Sequence, residues 1–158
     1  MKKSTIILLI IIGIVYVSKV WYESLLEKNA QITFQQLKEI AAIANVYHKQ
    51  NNQYPSDWTV LDIPYENKKI ESDGSSPVLW IGNNEFKILP DGSITGEYFI
   101  TEVFFTYNPA KSNEEKPTYT CYASRYFNAK DICLSFNKPV DTPTFKNDKG
   151  MWYIYPIK

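Results

Sequence analysis

Hydrophobic and polar positions follow two regimes along the first third of this chain. Behind Lys2 and Lys3, Ser4 to Ser18 (STIILLIIIGIVYVS) carries no charge; Lys19 interrupts, Val20, Trp21 and Tyr22 follow, and the chain turns polar at Glu23. From there to about Gln53 apolar residues recur at spacings of three and four. Phe34, Leu37, Ala41 and Ala44 share one face with Ile40, Ile43 and Tyr47, while Lys38, Glu39, Asn45 and Lys49 lie elsewhere around the turn. No proline precedes Pro55, and the only glycine before Gly74 is Gly13. One unbroken helix is therefore expected through both regimes. At 1.5 Å per residue it would run roughly 75 Å. A rod of that length cannot be buried within its own protein: the uncharged half needs surroundings other than water, and the amphipathic half must carry everything else.

Polar breakers and a proline, Asn51-Asn52-Gln53-Tyr54-Pro55, end the helical pattern. Trp58, Val60, Leu61 and Ile63 then supply apolar anchors in a loop closing at Pro64, and residues 65–76 read as charged surface loop. Strand signals follow at 78–81 and 86–89, separated by Gly82-Asn83-Asn84 and followed by Pro90-Asp91-Gly92. Tyr98 to Tyr107 is the most aromatic run, Thr118 to Ala123 a further strand, Asn128 to Phe136 a short helical turn, and Met151 to Tyr155 a final strand. The pattern implies an α+β protein: a long helix packed on an antiparallel meander of about four or five strands. Its parts are an apolar half-helix at 1–22, an amphipathic half at 23–53 and a β-rich head at 54–158. Phe34, Leu37, Ile40, Ala44 and Tyr47 are the residues expected to hold helix to sheet.

Composition narrows the function classes. Lys plus Arg equals Asp plus Glu at 17 each, with no basic run longer than a pair. The basic footprint of a nucleic-acid partner is absent. Twelve Tyr, eight Phe and four Trp, mostly after residue 54, favour a β-rich body. They invite an adhesion reading, yet such a body needs them for its own core. Cys121 and Cys133 are the only cysteines and His48 the only histidine, so a four-ligand zinc site of Cys and His cannot be completed. A disulfide in an oxidising compartment is the better reading, two separate buried thiols the alternative.

Nothing resembles catalytic machinery. His48 sits among polar residues at the helix end and reads as a solvated surface histidine. Asp57, Asp62 and Glu66 share a loop without recognisable spacing, and the glycine turns lack a phosphate-loop pattern. Asp141 and Asp148 could be imagined on calcium, but no EF-hand pattern surrounds them, and solvated loop is the plainer reading. A non-enzyme without metal or cofactor is expected.

The apolar segment reads as a single membrane anchor through Thr5, Ile6, Leu8, Ile10, Gly13, Val17 and Trp21, with Trp21 and Tyr22 as an outer collar and Lys19 snorkelling. A cleaved secretory signal is the rival. The bulky residues after the run do not suit signal peptidase, which favours an uncleaved anchor. Lys2 and Lys3 place the amino terminus in the cytoplasm and the body outside.

This order of parts resembles the type IV pilins and type II secretion pseudopilins. Thr5-Ile6-Ile7-Leu8-Leu9-Ile10-Ile11-Ile12-Gly13-Ile14-Val15 is similar to the apolar run that forms the filament-core half of their helix. The stretch from Ile40 to Pro55, with Tyr47 several residues before Asn51-Asn52-Gln53-Tyr54-Pro55, resembles the end of that helix. Trp58 to Pro64, with Leu61-Asp62-Ile63, continues the likeness, as do Cys121-Tyr122-Ala123 and Cys133-Leu134-Ser135. Two positions depart from the pattern. Lys3 falls where the prepilin peptidase needs Gly, with Ser4 where Phe or Met begins the mature chain, and Leu8 falls where the family has a buried glutamate. The resemblance implies a filament subunit held in the bacterial inner membrane, with its head in the periplasm. Its partners would be membrane lipid, copies of itself or other pilins through the amino-terminal helix, and the pilus or secretion assembly machinery. An unprocessed single-pass accessory protein is the alternative that the departures leave open.

Overall fold

A computed structural model describes residues 3–72, 77–98, 103–110, 115–124, 129–136 and 152–157. Helix α1 runs unbroken from Lys3 to Asn51, about 74 Å along its axis. Asn52 ends it in a left-handed conformation (φ 55°), its N–H donating to the His48 carbonyl at 2.8 Å. This is the asparagine version of a helix cap. A 3₁₀ turn at Trp58–Val60 follows, capped by Asp57, whose Oδ1 accepts from the Thr59 N–H at 2.7 Å.

Seven strands then form one antiparallel sheet: β1 (Lys68–Ser72), β2 (Pro77–Ile81), β3 (Asn84–Ile88), β4 (Ile94–Tyr98), β5 (Val103–Asn108), β6 (Thr118–Ser124) and β7 (Trp152–Ile157). Their order in the sheet is their order in the chain. Helix α2 (Ala129–Ser135) lies between β6 and β7 in sequence. The class is α+β, as the pattern implies, but among the described residues the strands number seven rather than four or five. The two extra strands have identifiable origins. Residues 68–72, expected in a loop, are edge strand β1, exposed at every position and so without an apolar alternation. The aromatic run Tyr98 to Tyr107 is not one strand but the end of β4 and nearly all of β5. Pro156 is accommodated because β7 is the other edge strand, where proline is tolerated.

One face of the sheet and one face of α1 make the core. Ala30, Phe34, Leu37, Ile40, Ala41 and Ala44 meet Leu79, Phe86, Ile88, Ile94, Phe105 and Tyr107. Trp58 is fully buried beside them, its Nε1 donating to the Pro77 carbonyl at 2.9 Å. Leu61 and Ile63 are buried as expected, whereas Val60 is exposed and anchors nothing.

Candidate functional site

The candidate site is the long helix itself, in two halves with opposite surroundings. From Ile6 to Tyr22 every residue is exposed, Ile6 at 45% and Trp21 at 68%, although nearly all are large and apolar. This is the one helix among the described residues long and apolar enough to cross a membrane, and its most apolar window touches nothing in the protein. Residues 4–22 would span roughly 28 Å, close to the hydrocarbon thickness of a bilayer. Ile6, Leu8, Ile10, Gly13, Val17 and Trp21 all lie in this exposed half, and a Cβ added at Gly13 would meet open space. Thr5 belongs to the same helix. Lys19 pairs with Glu23 one turn later (Nζ to Oε1 3.8 Å), with both side chains exposed.

From Ala30 onward the helix is seated. Phe34, Leu37, Ile40 and Ala44 are buried as the stripe predicts, with Ile43 and Tyr47 packed at its margin. Phe34 sits at the centre of an aromatic cluster, its ring 5.1 Å from Phe105, 5.1 Å from Phe136 and 5.5 Å from Tyr119. Opposite Leu37, β4 carries Gly96. A Cβ there would come within 2.7 Å of the Phe86 ring, so the missing side chain is what lets Phe86 lie flat beneath the helix.

Three polar links, not evident from sequence, lock this seat. The fully buried Thr33 hydroxyl lies 2.8 Å from the Asn29 carbonyl and 2.9 Å from Asn84 Oδ1, and Asn84 Nδ2 donates to Gln36 Oε1 at 2.6 Å. Tyr107 donates its hydroxyl to Asn45 Oδ1 at 2.6 Å, and burial pushes that phenol up to about 12. Asn45, which lies off the apolar stripe, is thus a contact to the sheet. Tyr65 donates to Glu39, holding that carboxyl below its ordinary range, while burial and then the carboxylate push the Tyr65 phenol well up. The partners that join helix to sheet or loop in these links are 26 to 62 residues apart, which is why no local pattern announces them.

His48 is not the free surface histidine its neighbours suggest. Its ring stacks on Tyr54 at 4.0 Å and 7°, with Nδ1 buried and without a hydrogen-bond partner among the described residues. Tyr54 in turn is held by the turn at Gly92, whose positive φ (82°) and lack of a side chain admit the Tyr54 ring.

At the far side of the core, Cys121 on β6 and Cys133 on α2 are both fully buried and joined in a disulfide. The bridge ties α2 to the sheet beside Phe136. Asp57 serves as a cap, and among the described residues no three His, Cys, Asp or Glu side chains are grouped to hold a metal ion. Asp141 and Asp148 lie outside the described residues.

The chain matches no family model, no curated protein and no solved structure. What can be said of its function rests on the geometry above.

Proposed function

We propose that this chain is a structural subunit of a type IV pilus or type II secretion pseudopilus, assembling through its amino-terminal helix. One observation carries the reading: a single unbroken helix has one half bare and apolar, the other half locked to an antiparallel sheet by packing and polar links. A bare apolar half-helix is stable only in lipid or among copies of itself. Rigid continuity into the head means that whatever holds the bare half also positions the head. Lipid would store the subunit in the inner membrane, and helix-on-helix packing would hold it in a filament core. The reading assigns the protein no catalytic step. Filaments sheared from cells that express the chain should contain it, as read by mass spectrometry of the purified filaments. Filaments that never contain it would overturn the reading.

A second reading is favoured by Lys3 and Leu8: a permanently anchored single-pass protein whose head binds a partner or scaffolds a pilus or secretion machine. Leu8 is an exposed apolar residue in the bare half, with no charge to pair with a neighbour's amino terminus. Intact mass of the protein extracted from its native membrane separates the two. A chain beginning at Ser4 supports the processed filament subunit, and one beginning at Met1 the anchored accessory protein.

A further inference from the structure

The sheet face turned away from α1 carries a feature that neither core packing nor the filament reading uses. Glu85 and Glu97 stand directly opposite each other across β3 and β4, and Glu97 is in turn opposite Phe104 on β5. In the adjoining row Lys87 faces Thr95. These five side chains line a shallow depression of about 150 Å³. Phe104 walls it from the β5 side, held upright by Tyr122, whose ring stacks on it at 4.4 Å and 4°. Glu85, largely buried, pairs with Lys87. Glu97 is half-buried, with the Glu85 carboxylate opposing its charge and Lys87 favouring it.

We propose that this depression is a binding site for one unit of a neutral sugar. Three chemistries compete for such a lining. A free anion is repelled by two carboxylates. A small cation finds Glu85 already engaged by Lys87. A sugar suits the mixture, because each hydroxyl both donates and accepts, while carboxylates only accept and an ammonium only donates. Glu97 accepts from one hydroxyl, and Thr95 donates to or accepts from a neighbouring one. The C–H face of the ring lies against Phe104, as amphipathic ligands lie against aromatic walls. Hydroxyl donors also relieve the opposition of two like charges across a strand pair, which otherwise weakens the sheet. The depression is of the size of a single pyranose ring. The inference is independent of how the helix is used.

Saturation-transfer NMR on the full chain in phosphatidylcholine nanodiscs tests it, since glucoside detergents would compete. Glucose, galactose, mannose and N-acetylglucosamine are the probes. At least one should receive transfer from the wild-type protein. Its Kd should rise about tenfold in Thr95→Val, which deletes one hydroxyl at constant shape, and in Phe104→Leu, which deletes the ring. Thr95→Val keeps the test decisive should Phe104→Leu melt early. Transfer to none of the four sugars overturns the proposal, as does transfer indifferent to both variants. Binding of methylammonium but of no sugar also overturns it, and makes the depression a cation site.

Discussion

Glu97 is the residue whose environment works against its charge. Burial first, and then the facing Glu85, raise its carboxyl above the ordinary 4.5, with Lys87 pulling the other way. A raised folded value means that stability is fully present below 4.5 and is lost as pH rises through the folded value. Glu97→Gln should therefore melt above wild type at neutral pH and level with it in acid. The difference should be of the order of 1 kcal/mol or less, a few degrees, in thermal unfolding followed by circular dichroism. Gly96 on the same strand is a steric case. Gly96→Ala forces a methyl to within 2.7 Å of Phe86 and should cost about 1–3 kcal/mol, with the loss read in urea unfolding. Thr33→Val keeps shape but strips the buried hydroxyl from Asn84, and about 1–3 kcal/mol is expected there as well.

Elements differ in how plainly the sequence announces them. Helix α1 and its buried stripe are legible because no proline interrupts its 49 residues and a 3.6-residue period marks its second half. Strand β1 is silent: KKIES at an exposed sheet edge has no buried face to write an alternation. The division between β4 and β5 is equally hidden, because the sequence from Tyr98 to Tyr107 contains no glycine, proline or asparagine. In β4 itself, Gly96 reads as a breaker, although it is there to admit Phe86. The seat of the helix was legible as packing and illegible as hydrogen bonding, since Thr33, Asn45 and Glu39 find partners only after the fold has formed. Helix α2 is too short to hold its place by propensity, so its bridge matters. Closing the 12-residue separation of Cys121 and Cys133 stabilises by about 3 kcal/mol in the chain-entropy model. Reductant, or Cys121→Ser, should lower the melting temperature by about 10 °C and sharpen protease cleavage near α2, without changing membrane attachment. Unchanged melting would deny the bridge that role.

At the scale of the molecule, the bare half of α1 and the head are energetically separable. Ile6 to Tyr22 are all exposed, and none belongs to the core of the head. A charge placed there, such as Ile10→Lys, should reduce the membrane-bound fraction, at a cost of about 3 kcal/mol for insertion. It should leave the thermal unfolding of the head untouched. Loss of head stability in that variant would mean that the two halves communicate.

The strict succession of β1 to β7 bears on the order in which the protein can be made. Under the proposed topology the chain leaves the membrane helix first, and each new strand emerges beside the one already in place. The central strands have α1 waiting for them, and the Cys121–Cys133 bridge can close before β7 arrives. Strands β1 to β5 are each followed within ten residues by the strand they pair with, whereas β6 waits for β7 across residues 125–151. Under that topology the head can fold as it emerges, strand by strand up to β6, with β7 closing the sheet last.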